Sequence, residues 1–292
     1  MAINIILNII VLQAIYLLIS LSFYQIYQST KYFYLTQSSI VSLGAYLLYY
    51  FYIELQLALI ISIVISIIIS TVIGILTEFC IYKPMRKKGL PPFTFLIASI
   101  GLYTVLQNCI SLYFGDDTKT INTSEVTIGH EFLGAYITTI QIVTIIVSLS
   151  LFLAMYLLYD YTKLGKQIRA VSENAELAKV YGISSDKIIL ICFAIGSSLG
   201  AIAGILSAMD TNLTPTMGFN LLLYGIVAMI IGGVGSFRGL LFGCLLVATS
   251  QNLVAYYLDT KWMDAVAYII LILFLLWKPL GFSGKRLKKI EI

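Results

Sequence analysis

Apolar residues in this chain arrive in blocks, without the one-sided stripe of a water-soluble helix. Across residues 55–76 the only polar side chains after Gln56 are Ser62, Ser66, Ser70 and Thr71. A helix that is apolar all round belongs in lipid or deep inside a bundle, and a spanning helix needs about 20 such residues. Runs of that length, cut at charged or Pro/Gly-rich breaks, fall near 3–26, 32–51, 55–79, 93–114, 134–158, 188–208, 219–236, 238–258 and 262–280. The pattern predicts an all-α, polytopic transmembrane helix bundle of about eight to nine spans. The longest polar stretches, 115–133 and 159–187, are too short for a soluble domain, so residues 1–292 read as one transmembrane domain.

Composition and charge sharpen this picture. Hydrophobic residues make up 60% of the chain and charged residues 11%, against about 25% charged in a soluble domain. The first residues carry no basic side chain and no small-residue cleavage site follows, so a retained first helix is expected. Cys80, Cys109, Cys192 and Cys244 are scattered singly through apolar runs and read as small buried hydrophobes. With nine spans, every Lys and Arg except Lys119 and Lys261 falls on one side, including the 83–88 cluster, the 163–187 stretch, Arg238 and the tail. Basic residues collect in the cytoplasm, so that side is expected to be cytoplasmic, with the termini on opposite sides and the C-terminus inside. The opposite loop, 115–133, holds Asp116, Asp117, Glu125, Glu131 and His130.

The 159–187 loop is patterned beyond what a turn requires. Ser172 or Asn174 can cap a helix start, Glu173 and Glu176 suit its first turn, Lys179 its last, and Gly182 can take the left-handed residue after it. A body of about eight residues makes roughly two turns, with Ala175, Ala178 and Tyr181 at spacings of three forming a small, flat face. Such a helix either docks another protein closely or lies on lipid headgroups, aided by Lys163, Lys166 and Arg169.

Other features are placed by elimination. Gly196, Gly200 and Gly204 recur every four residues and predict close helix packing, with a gating hinge as the alternative. The run 232–239 lacks the order of a phosphate-binding loop and reads as a turn between helices, with Arg238 at the cytoplasmic interface. Gln13, Gln37, Ser38, Ser39, Ser42, Gln107, Asn108, Gln251 and Asn252 are polar residues inside spans, so each is either a helix-to-helix bond or part of a solute path. No file of Asp, Glu or His crosses the membrane middle, with Glu78, Asp210 and Asp264 expected at span ends. That argues against a proton-coupled carrier, and no cluster offers a metal site or an activated nucleophile, which argues against an enzyme.

An ordered series of motifs resembles the permease subunits of branched-chain amino-acid ABC importers. It comprises Gly165-Lys-Gln-Ile-Arg-Ala-Val, Ala178-Lys-Val-Tyr-Gly182-Ile183, Phe193-Ala-Ile-Gly196-Ser-Ser-Leu-Gly200-Ala-Ile-Ala-Gly204, Pro215-Thr-Met-Gly218-Phe and Ile231-Gly232-Gly233-Val-Gly235-Ser236-Phe-Arg-Gly239. Ser42-Leu-Gly44-Ala-Tyr46 and Lys278-Pro279-Leu-Gly281-Phe extend it toward both ends. The chain departs from the family at Leu35-Thr-Gln37-Ser-Ser39, where a short His-Gly motif is usual. The resemblance implies a multi-pass subunit of the bacterial plasma (inner) membrane, surrounded by lipid. It would pair with a homologous or identical second permease, two ATPase subunits and an extracytoplasmic solute-binding protein. It implies no cofactor, metal or nucleic acid in the permease itself. It assigns ATPase coupling to the 159–187 loop and, within it, to Gly165, Arg169, Ala175, Ala178 and Gly182. Gln37, Ser38, Ser42, Gln107, Asn108, Gln251 and Asn252 remain the candidates for the translocation path. Alternative cargoes are urea or other small amides, and the alternative class is a secondary transporter or channel working without ATP.

Overall fold

Long apolar runs fold as helices because lipid offers the backbone no hydrogen-bond partners of its own. The computed structural model describes residues 2–121, 129–132, 135–278 and 281–282. The chain runs through α1 (Ala2–Thr30), α2 (Gln37–Tyr49), α3 (Leu59–Thr77), α4 (Lys83–Lys87) and α5 (Pro92–Phe114). An antiparallel hairpin of β1 (Gly129–Phe132) and β2 (Ala135–Thr138) follows. The rest is α6 (Thr139–Tyr161), α7 (Lys163–Glu173), α8 (Ala175–Val180), α9 (Ser185–Asp210), α10 (Met217–Gly232), α11 (Phe237–Tyr257) and α12 (Met263–Trp277). Seven helical runs among the described residues are long and apolar enough to cross a membrane, and α10 is a shorter apolar helix beside them.

The expected boundaries shift where polar groups find local partners. The third run does not stop at residue 79. A π-helical turn, Glu78–Tyr82, joins α3 to α4, so Glu78 lies inside the helix with its charge met by Arg86 Nη2 at 2.6 Å. The fifth run starts at Thr139, not 134, because Ala135–Thr138 pairs in the hairpin and Thr138 forms a capping box with Gln141. The second run leaves helical geometry over residues 31–36, where the Thr36 backbone N–H donates to Ser99 Oγ at 3.1 Å. Of the four cysteines, Cys192 and Cys244 are buried as expected, whereas Cys80 and Cys109 face outward.

Packing centres on α9, which lies against α1, α2 and α3. Without a hydrophobic driving force in lipid, helices adhere through close backbone approach at small residues. Gly196 meets Ser22 and Ile26 of α1, Gly200 meets the Gln37 side chain, and Gly204 lies against the Val41 carbonyl of α2. On α3, Ser62, Ser66, Ser70 and Gly74 recur every four residues on the buried face, and Gly74 packs on Ser197 of α9. The opposite face presents Val64, Ile68, Val72 and Leu76, an apolar stripe suited to lipid. A methyl at Gly204 would meet rigid backbone, whereas one at Gly200 would meet a side-chain end. Gly204→Ala is therefore expected to cost about 1–3 kcal/mol and Gly200→Ala less. Thermal unfolding of the two purified variants checks this; an equal or reversed order of melting temperatures would contradict the packing account.

The two ends of the bundle differ in charge. At one, Lys83 and Arg86 bridge to Asp186, Arg169 to Asp160, and Arg238 bonds to Tyr156. At the other, Lys119 pairs through its backbone with Leu213 and its ammonium lies over the rings of Tyr49 and Phe114. The basic tail residues Lys285 and Lys289, Pro279 of the terminal motif, and Glu125 of the acidic loop lie outside the described residues.

Candidate functional site

At the basic end the chain builds a small helix and fixes it from three sides. Thr162 ends α6 and caps α7 by accepting from Gly165 N–H at 3.1 Å. Gly165 is needed there because a side chain would run into the carbonyls of Leu158 and Tyr159. Ile168 and Val171 turn α7 inward, while Lys163, Lys166 and Arg169 remain exposed. Of the two expected caps it is Asn174 that starts α8, its Oδ1 accepting from Glu176 and Leu177 N–H at 3.0 and 2.9 Å.

α8 closes with a Schellman motif. Ile183 N–H donates to Ala178 O and Gly182 N–H to Lys179 O, both at 3.0 Å, with Gly182 at φ +80°. Ser185 Oγ then donates to Ala175 O at 2.8 Å, fastening α8 to the first turn of α9. The expected face of Ala175, Ala178 and Tyr181 is divided: Ala178 is 4% exposed and packs in the core with Ala175 half-buried beside it, while Tyr181 stays outside. The outward face is apolar and larger, with Leu177 54%, Val180 81% and Tyr181 77% exposed. Leu177, Val180 and Tyr181 stand at i, i+3 and i+4, a stripe visible in the sequence beside the alanines.

Polar contacts continue from α8 into the bundle. Asp186, in the first turn of α9, meets Arg86 at 3.5 Å and Lys83 at 3.9 Å, and Arg86 holds Glu78, which is 1% exposed. Beside Glu78, Thr77 Oγ1 and Tyr34 OH share a 2.8 Å hydrogen bond, and Thr36 Oγ1 and Tyr82 OH one of 2.9 Å. Tyr34 and Thr36 belong to the segment that leads into α2. The Tyr32, Tyr82 and Phe95 rings stack against one another there. Sequence reasoning missed this cluster because its members are far apart in the chain and each looks ordinary alone.

The seven polar candidates for a path fall in three places. Gln37, Ser38 and Ser42 are buried on α2. Gln37 Nε2 donates to Gly196 O at 2.9 Å, Ser38 Oγ to Leu35 O at 2.7 Å, and Ser42 Oγ to Pro215 O at 3.1 Å. Gln37 Oε1 is buried with no hydrogen-bond partner among the described residues. Gln107 and Asn108 lie on the C-terminal half of α5, where Asn108 is exposed and donates to Thr104 O at 2.7 Å. Gln251 is buried on α11, accepting from Tyr16 OH at 2.6 Å and donating to Met263 O at 3.2 Å, with the half-buried Asn252 beside it bonded to Ala248 O. An apolar cavity of about 280 Å³ lies between α2, α3 and α5, lined by Ser39, Leu43, Ile73, Leu106, Cys109 and Ile110 among others. Among the described residues no group of three or more His, Cys, Asp or Glu could hold a metal ion.

Comparison with known proteins bears on this arrangement. Residues 5–275 match the family described as branched-chain amino acid transport system / permease component. The high-affinity branched-chain amino acid transport system permease protein LivH of Escherichia coli (strain K12) is 32% identical over 213 residues, which cover 71% of this chain and 68% of LivH. The corresponding permease protein BraD of Pseudomonas aeruginosa is 30% identical over 219 residues, covering 73% of this chain and 70% of BraD. Among solved structures, a chain of PsaBC from Streptococcus pneumoniae in complex with Fab superposes with a TM-score of 0.51 at 13% identity, covering 93% of this chain and 91% of that one. At that identity the likeness speaks for the fold alone.

Proposed function

The chain belongs to the branched-chain amino acid transport system permease family, and from that premise we propose that it forms half of the translocation path of an ATP-driven importer of branched-chain amino acids. ATP is hydrolysed by separate subunits that dock on the basic, cytoplasmic end, and a solute-binding protein delivers cargo at the hairpin end of a bacterial plasma membrane. The observation that carries this reading is α8. It presents Leu177, Val180 and Tyr181 outward beyond the end of a spanning helix, on a base tied to α9 by Ser185 and the Schellman closure. An apolar knob on a rigid mount suits a protein partner better than a headgroup surface, which would favour the basic residues of α7.

In this reading the roles within the 159–187 loop divide. Gly165, Ala175, Ala178 and Gly182 shape and seat the coupling helix, while the exposed stripe makes the contact. Movement of α8 is passed to α9 directly and, through Asp186, Arg86 and Glu78, to the entry of α2. The buried α2 residues Gln37, Ser38 and Ser42 form the inner polar line of the path, with Gln37 Oε1 free to accept a hydrogen bond from cargo. A second permease covers α5, because exposed Thr104 and Asn108 would be poorly placed against lipid. Uptake of labelled leucine, isoleucine and valine by cells that carry the complete transporter, against cells lacking only this chain, tests the cargo. Loss of uptake of all three is expected; unchanged amino-acid uptake with lost urea uptake would replace the substrate.

A further inference from the structure

A second cavity, of about 280 Å³, opens at the basic end between α1, α6, α7 and the turn from α10 to α11. Its wall includes Arg169, Arg238, Asp160, Tyr156, Gln28 and Ser236. Neither guanidinium is fully engaged. Arg169 Nη1 stands 3.6 Å from Asp160 Oδ1, with both side chains about half exposed, and Arg238 Nη2 donates to Tyr156 OH at a long 3.4 Å. A guanidinium carries five N–H donors in a planar fork that matches oxyanions, and most donors of this pair have no partner among the described residues. Two arginines against one aspartate leave the cavity one positive charge in excess.

The position of the cavity narrows the ligand. Tyr156, Tyr159 and Asp160 lie in the last two turns of the spanning helix α6, and Arg238 lies in the first turn of α11. Helix ends bearing Tyr and Arg sit at headgroup depth, and basic pockets between spanning helices on the cytoplasmic side suit anionic lipid headgroups. On the same helix α6, Leu153 and Leu157 face outward and would offer an acyl chain an apolar bed. Arg169 also lies on α7, not on the exposed stripe of α8, so its place in the chain is not accounted for by docking.

We propose that this cavity binds a phosphate group carried by an anionic phospholipid, held between the Arg169 and Arg238 guanidiniums. Lipid held there would brace α7, on which the coupling helix is mounted, whatever the cargo.

The full-length chain in phosphatidylcholine nanodiscs, with a minority of spin-labelled phosphatidylglycerol, provides the test. The wild type is expected to immobilise the labelled lipid in excess of its bulk share. Removing each charge should weaken that binding roughly fivefold, so Arg169→Gln with Arg238→Gln should weaken it on the order of 25-fold. Asp160→Asn, which frees Arg169, should instead tighten it, a gain that misfolding cannot produce. Displacement of the label by millimolar inorganic phosphate would keep the phosphate chemistry but make free phosphate the occupant. Equal immobilisation by wild type and the double arginine variant, or an unchanged Asp160→Asn, would overturn the proposal.

Discussion

Val180→Asp is expected to leave the permease folded and in the membrane while co-purification of the ATPase subunits falls about 100-fold. Val180 is 81% exposed, so the permease itself loses almost no packing on substitution. Docked, the same position is covered by the partner, and an unpaired carboxylate buried in a protein contact costs several kcal/mol. Loss of a central apolar anchor alone costs 2 kcal/mol or more, and about 2.7 kcal/mol is a hundredfold in affinity. Ala178→Glu makes the contrast. Ala178 is a core residue of α8, which packs on α7 and α9, so a glutamate there should unseat α8 and lower the yield of folded permease. Retained ATPase binding by Val180→Asp would remove α8 as the docking element.

Arg86→Ala is expected to be the most destabilising single substitution at the basic end, at about 3–5 kcal/mol. It leaves the Glu78 carboxylate 1% exposed within a spanning helix and without its guanidinium at 2.6 Å, and breaking a buried ion pair from one side costs about that much. The companion variant, Arg86→Met with Glu78→Gln, removes both charges and should recover most of the loss, because an uncharged pair of similar volume is often neutral. Melting followed by a thiol-reactive dye suits the comparison, since Cys192 and Cys244 are buried reporters once the outward Cys80 and Cys109 are replaced by serine. If Arg86→Ala melts with the wild type, the ion pair contributes nothing and the link from α9 to α2 loses its centre.

The helical class and most of the spans were legible in the sequence, because a bilayer demands runs of about 20 apolar residues and the chain supplies them openly. The boundaries that moved did so where distant side chains intervene. Glu78 and Lys83 look like a stop, yet Arg86 and Asp186 satisfy them and the helix runs on to Lys87. Residues 31–36 look like part of a span, yet Ser99 and Tyr82 hold that segment out of the helix. At the candidate site, the Asn174 cap and the left-handed Gly182 were readable, since both are local chemistry. The direction α8 faces was not. Alanine fits a buried or an exposed face equally, and only the contacts with α7 and α9 decide that Ala178 turns inward and Val180 outward. The polar residues of the spans were likewise found but not grouped, because spacing along a helix does not say which neighbour it meets.

The central claim, that this chain couples ATP hydrolysis elsewhere to amino-acid import through α8, is tested most directly in proteoliposomes containing the permease pair, its ATPase subunits and the solute-binding protein. Accumulation of labelled leucine against a gradient is measured with ATP or ADP on the ATPase side. The wild type should accumulate leucine only with ATP, and the Val180→Asp transporter should not accumulate it with either nucleotide. Equal leucine accumulation with ATP and ADP, or with wild-type and Val180→Asp chains, would contradict the account.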